Sequence, residues 1–169
     1  MKPAALMLVL AGGVSNEPLL LERGGLALRL PAGWHETAPP KSERGALTVT
    51  LGPEHGEGYQ LLLSVVTART ASIDTRVLVE RAGRQALKDA RETTLAVREL
   101  RGDRVSGHYF ELTDREPGAG EYEGLVQGIV TYGPLQVSFT LLLHPADAAT
   151  REAALDLLRR ARPAGAADH

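Results

Sequence analysis

A chain of 169 residues, 43% hydrophobic and 24% charged, has the composition and size of one folded domain. Its net charge of −2 excludes a general nucleic-acid binder, which needs a basic face to displace counterions from phosphates. The absence of cysteine excludes disulfides, thiol nucleophiles, iron–sulfur clusters and cysteine-type zinc sites together.

Residues 1–15 have the shape of a secretory signal peptide. Lys2 is followed by the short apolar run Ala4–Leu10 and then by Ala11, Gly12, Gly13 and Ser15, with cleavage expected after Gly13 or Ser15. The run is shorter than the roughly 20 apolar residues that cross a bilayer, so no membrane span is expected. Gly13 stands where a lipoprotein signal carries its cysteine, so no lipid anchor is expected either. The expected location is periplasmic or secreted, or cytoplasmic if the segment is retained.

Leu26–Leu30 alternates apolar and other residues as a strand does, and Pro31-Ala32-Gly33-Trp34 turns the chain. Residues 35–44, with Pro39, Pro40 and several charges, read as a loop. Ala46–Leu51 and Tyr59–Ala68 read as strands around a turn at Gly52–Gly58. Ser72 is placed to cap a helix from Ile73 to Arg91, with Ile73, Val77, Ala82, Ala86, Leu87 and Ala90 inward. Leu95–Leu100 and Arg104–Thr113 form two strands around a Gly102-Asp103 turn.

The strongest local signal is the hairpin Tyr122–Tyr132 with Leu135–His144. A two-residue Gly133-Pro134 turn sets Tyr132 opposite Leu135, Val130 opposite Val137, Gly128 opposite Phe139 and Val126 opposite Leu141. That register gathers Leu135, Val137, Phe139, Leu141 and Leu143 on one face, and Gln127, Thr131, Gln136, Ser138, Thr140 and His144 on the other. Ala148–Arg162 reads as a helix with Ala154, Leu155, Leu158 and Ala161 inward and arginines suited to its negative C-terminal end. Residues 163–169 read as a tail. Hairpin connections imply antiparallel pairing. The expected fold is therefore α+β, a single antiparallel sheet of about six or seven strands with two helices packed on it, one domain over residues 21–162.

Gly25-Leu26-Ala27-Leu28-Arg29-Leu30-Pro31-Ala32-Gly33-Trp34, a strand running into a Pro-x-Gly-Trp turn, resembles the opening of the PsbP-like fold family. The order that follows, a middle helix, long antiparallel strands and a closing strand and helix, is similar too. The resemblance implies a mostly non-catalytic family that includes photosystem subunits, a nuclear-transport factor, DcrB-like and other bacterial envelope proteins, and adaptors for secreted effectors. It implies no shared catalytic set.

Other constellations are weak. His35, His55, His108, His144 and His169 are scattered without a zinc-site spacing, and His108 and Glu111 fall on opposite faces of one strand. Asp114, Glu116, Glu121 and Glu123 crowd one hairpin tip but fit no calcium loop. Arg101-Gly102-Asp103 is explained by turn chemistry. No Gly-x-Ser-x-Gly elbow or phosphate-cradling loop is present. Trp34, Tyr59, Tyr109 and Tyr132 read as core or rim packing rather than a stacking site. No catalytic residue, metal site or cofactor is expected. The candidate ligand-contacting residues are Gln127, Gln136, Thr140 and His144 on the polar hairpin face, open to a partner unless a helix covers them. The expected function is a non-enzymatic accessory or binding protein of the bacterial envelope, whose partner is another protein. A cytoplasmic adaptor for a secreted partner and a small hydrolase are the alternatives.

Overall fold

Gly133 takes a φ of 56°, as a two-residue turn between strands demands, and Pro134 follows at the position its fixed φ suits. The hairpin it closes, Gly124–Tyr132 (β8) with Leu135–Leu143 (β9), runs in the register read from the sequence, from Tyr132 opposite Leu135 to Val126 opposite Leu141. The computed structural model to which it belongs describes residues 19–54, 58–67, 74–144 and 147–166. The signal-peptide segment, Ser72, Ile73, His55 and His169 lie outside the described residues.

The other described elements are β1 (Leu19–Arg23), β2 (Leu26–Leu30), β3 (Trp34–Glu43), β4 (Ala46–Pro53), β5 (Tyr59–Thr67), α1 (Thr75–Ala86), β6 (Val97–Arg101), β7 (Ser106–Thr113), α2 (Ala148–Arg160) and β10 (Arg162–Pro163). The fold is α+β with two α-helices, as expected. The described strands form two sheets rather than one: a seven-stranded antiparallel sheet in the order β3-β4-β5-β9-β8-β7-β6, and a small sheet in the order β1-β2-β10. The split has a local cause. Trp34 N–H donates to the Pro31 carbonyl at 3.1 Å and Gly33 has a φ of 80°, so the chain turns sharply between β2 and β3. Pro163 is consequently a strand residue beside Leu26, not the first residue of a tail.

Residues 35–44 are a correction. Apart from Arg44, which opens the next turn, they form most of β3, paired to β4 with register shifts between Glu36 and Ala38 and between Ala38 and Lys41. Two prolines are tolerated because β3 is an edge strand, where a missing N–H breaks no second ladder and a bulge absorbs the irregularity.

One face of the large sheet packs against α2 and the small sheet. Leu28 and Leu30 of β2, Leu61 and Leu63 of β5, Val137, Phe139 and Leu141 of β9, and Leu155 and Leu158 of α2 share this core. Phe139 lies against Gly128, where an added Cβ would sit 2.7 Å from the ring. Helix α1 packs on the opposite face over Phe110 and Leu112 of β7, forming a second, smaller cluster with Val79 and Ala90. Its N-terminus is capped by Asp74, whose carboxylate accepts from the N–H groups of Arg76 and Val77. Its inward stripe also differs from expectation: Thr75, Val79 and Gly83 are buried, whereas Val77 is 50% exposed. Gly83 sets this rotation. A Cβ there would lie 3.0 Å from the Phe110 ring and closer still to Leu95, so the helix descends on its glycine, which the sequence pattern does not count as apolar.

Candidate binding face

Among the described residues, the α1 side of the large sheet is covered only in part. Side chains of β7 and β8 that point this way, His108, Phe110, Leu112, Leu125 and Ile129, lie under or beside α1. The Thr75 hydroxyl shares a 2.8 Å hydrogen bond with His108 Nδ1, tying the first turn of α1 to β7. Glu111, one residue beyond Phe110, pairs instead with Arg151 of α2 at 3.2 Å. The alternation predicted for His108 and Glu111 thus places them against different helices.

Beyond β8 the same face continues across β9, β5 and β4. It is a field of hydroxyl and amide groups on strands about 4.8 Å apart. Thr48, Ser64 and Ser138 stand in one cross-strand row, and the Thr48 and Ser64 hydroxyls are hydrogen-bonded at 2.9 Å. Thr50, Leu62, Thr140 and Gln127 form the next row. Ser138 is exposed, while Thr48, Ser64, Gln127, Gln136 and Thr140 are half-buried. The structure therefore brings Gln127 and Thr140 together as direct cross-strand partners, with Gln136 on the same face beside Val66.

His144 stands apart. It follows the last residue of β9, roughly 13 Å along the strand direction from Thr140 at the rise of an antiparallel strand. Its N–H donates to the Gly58 carbonyl, and its ring meets the Tyr122 ring edge-on with centroids 6.4 Å apart. Next to it the face ends in a cavity of about 240 Å³, which sequence reasoning missed. Its apolar lining includes Ala86, Ala90, Leu112, Leu125 and Leu142, and its rim carries Asp89, Asp114 and Glu123. The small side chains Ala86, at the end of α1, and Ala90, just after the 3₁₀ turn Leu87–Asp89 that extends it, leave the space. Their four-residue spacing was the available signal. The floor is held by Arg115, whose guanidinium donates twice to the Ala90 carbonyl at 2.9 and 3.2 Å. Beside it, Glu92 accepts from the Thr113 N–H and hydroxyl, both at 2.9 Å. Burial alone would raise the Glu92 pKa, but these hydrogen bonds and the neighbouring Arg91 hold it below the usual carboxylate value. Arg91 itself pairs with Glu123 at 2.9 Å.

Two other acidic side chains of this tip are engaged locally. Asp114 accepts from the Glu116 N–H and Glu121 from the Gly118 N–H, which shapes the loop between β7 and β8. Trp34, Tyr109 and Tyr132 are buried in the core, and Trp34 packs on Tyr59 with ring centroids 4.4 Å apart. The turn between β6 and β7 is the four residues Gly102–Val105, longer than the Gly102-Asp103 turn expected, with Arg101 paired to Ser106 and the Gly102 N–H donating to the Val105 carbonyl at 3.0 Å. No helix among the described residues is long and apolar enough to cross a membrane. Chemically the face offers hydroxyl and amide hydrogen bonds beside an apolar recess with an acidic rim, an arrangement suited to recognition.

No family model matches the chain, and no curated protein matches it. Among solved structures, the chain is similar to the solution structure of cyanobacterial PsbP (CyanoP) from Synechocystis sp. PCC 6803. The TM-score is 0.61 at 13% identity, with 90% of this chain and 96% of that chain covered. The chain has the PsbP-like fold.

Proposed function

We propose that this chain is a non-catalytic accessory protein of the bacterial envelope, and that it works by binding another protein on the α1 side of its large sheet. The observation that carries the reading is the continuity of that face. A mainly polar field over β4, β5 and β9, interrupted by Leu62 and Val66, runs through Gln127 and Thr140 to an apolar cavity at Leu142. An apolar recess surrounded by polar groups is how protein interfaces anchor and orient a partner. With Arg91 on Glu123 and Arg115 at the floor counted, Asp89, Asp114 and Glu123 still leave the rim one carboxylate in excess, which favours an aliphatic side chain with a cationic head, lysine or arginine, as the inserted group. The PsbP-like fold supports the accessory role by analogy of fold. The signal-peptide shape of residues 1–15 and the envelope members of that fold, including DcrB-like ones, support the location.

Site-specific photo-cross-linking in the native host tests the reading. A cross-linker at Ser138 is expected to yield a discrete protein adduct that is lost with Thr140→Arg and unchanged with Glu152→Arg on the outer side of α2. Equal yields in the two variants, or no adduct, would overturn it. Intact mass after cell fractionation tests the location. A periplasmic protein lacking its first 13 to 15 residues is expected, and a full-length cytosolic one would replace the envelope reading with the adaptor reading.

A further inference from the structure

A sheet edge offers a row of unpaired backbone groups to any strand that meets it. Among the described residues, three of the edges here are blunted. β3 carries Pro39, Pro40 and two register shifts. β6 exposes Arg98, Glu99 and Arg101. β10 is two residues long, and one of them is Pro163. β1 is the exception. It pairs with β2 without a register shift, it contains no proline, and Leu19 and Leu20 are 56% and 50% exposed. Glu22 is its one exposed charge, since Arg23 is half-buried and bonded to Glu36 at 2.7 Å. We propose that the occupant of this edge is a second copy of the chain, its β1 pairing antiparallel with the first about a two-fold axis centred on Leu20.

The register follows from which residues share a face. A two-fold axis perpendicular to the sheet keeps each face on its own side, so a residue meets only residues of its own face. Leu19 and Leu21 stand opposite Leu30 and Leu28 of β2, on the face that enters the core. Leu20 and Glu22 stand opposite Arg29 and Ala27, on the other face. Centring the pair on Glu22 would set two carboxylates directly opposite each other, which is destabilising. Centring it on Leu21 would set Leu20 against Glu22 of the second copy. Centring it on Leu20 sets Leu20 against its own counterpart and Leu19 against Leu21 of the second copy, twice over. Only this register covers both exposed leucines with leucine. It also prolongs the core across the edge. One row then runs from Leu28 through Leu21 to Leu19 and Leu30 of the second copy, and the axis repeats it. Leu28 and Leu30 are enclosed within their own chain, so Leu19 is the one leucine of that row left largely in water. Main-chain hydrogen bonds would supply affinity, and the leucine rows would select the partner.

Sedimentation equilibrium of the protein isolated from its native host tests the pairing. A monomer–dimer equilibrium is expected. Leu20→Lys, which sets two ammonium groups face to face, should weaken it at least tenfold. Val77→Lys, at an equally exposed position of α1, should weaken it less than twofold. Disulfide capture reads the register without adding a charge, because the chain has no cysteine of its own. Leu20→Cys should oxidise to a covalent dimer at least tenfold faster than Leu19→Cys or Val77→Cys. In this register the two copies of position 19 are out of step, and a disulfide does not close once the Cα atoms are more than about 7 Å apart. A monomer at every concentration with no preferred cross-link overturns the proposal and leaves the edge to a strand of another protein. Equal weakening by the two lysine variants, or equal capture at the three cysteine positions, overturns it as well.

Discussion

The phenolic hydroxyl of Tyr132 donates to the backbone carbonyl of Leu158 at 2.6 Å, with the whole Tyr132 side chain enclosed in the core. One bond thus joins the end of β8 to the last turn of α2, where carbonyls lack intrahelical partners. Removing it with Tyr132→Phe leaves a buried acceptor unpaired, which costs about 1–3 kcal/mol. Urea unfolding should show a lower midpoint with an unchanged slope. A midpoint equal to that of the parent would mean that the Leu158 carbonyl finds water instead.

The same burial sets an alkaline limit. Burial pushes the Tyr132 hydroxyl well above the usual tyrosine range and pushes Tyr59 up from 10.0 to about 12. Both groups hold their protons more tightly in the folded chain than in the unfolded one. Their contribution to stability is therefore complete below pH 10 and is lost as the pH rises through the folded-state values. Thermal midpoints should be level from neutral pH to about pH 10 and then decline. Tyr132→Phe should make that decline shallower. A parallel decline in parent and variant would assign the alkaline loss to other groups.

Gly128 is crossed by the Phe139 ring on its own sheet face. A Cβ there would also lie 2.5 Å from the His108 carbonyl oxygen, which belongs to backbone and cannot swing aside. Gly128→Ala should destabilise the chain by about 1–3 kcal/mol, the range for overpacking. Thermal or chemical unfolding reads the effect directly. Phe139→Leu in the same background should recover part of the loss only if the ring is the main obstacle.

Adjacent residues of β9 should behave as opposites. Ser138 is exposed on the α1 side, whereas Val137 is fully enclosed on the other. Ser138→Arg should change stability by less than about 0.5 kcal/mol, as surface replacements do, while abolishing the adduct of a cross-linker placed at Gln136 instead. Val137→Asp should prevent folding, because it buries an unpaired carboxylate. A destabilising Ser138→Arg would show that this part of the face is covered.

What the sequence revealed, and what it hid, follows from the range of the forces involved. The β8–β9 register was legible because Gly133-Pro134 permits few turn geometries and a one-residue slip would turn Val137 and Phe139 to water. Gln127, Gln136 and Thr140 could therefore be grouped on one face from the chain alone. The strand over residues 35–44 was hidden because Pro39 and Pro40 argue against a strand everywhere except at an edge, and edge position is a property of the whole sheet. The rotation of α1 was hidden because Gly83 meets Phe110, a contact between distant segments. The cavity beside Leu142 was hidden for a related reason. It is made by what Ala86 and Ala90 fail to fill, and their four-residue spacing reads equally well as the packed stripe of a helix.

The small sheet has a consequence for how the chain assembles. Its middle strand, β2, takes one neighbour from the adjacent β1 and the other from β10, at the opposite end of the chain, where Arg162 and Pro163 pair with Ala27 and Leu26. The hairpin of β1 and β2 can form early, since its turn is local. Its second edge stays bare until the end of α2 has been synthesised and docked. Closing so long a loop is slow, and the order is enforced by connectivity rather than by strength of pairing. During that interval Leu28 and Leu30, which end up fully enclosed, await both α2 and the rest of the sheet. A nascent chain arrested before residue 162 therefore presents an unpaired, leucine-rich strand, the form most open to a chaperone and most prone to pairing with a second copy of itself.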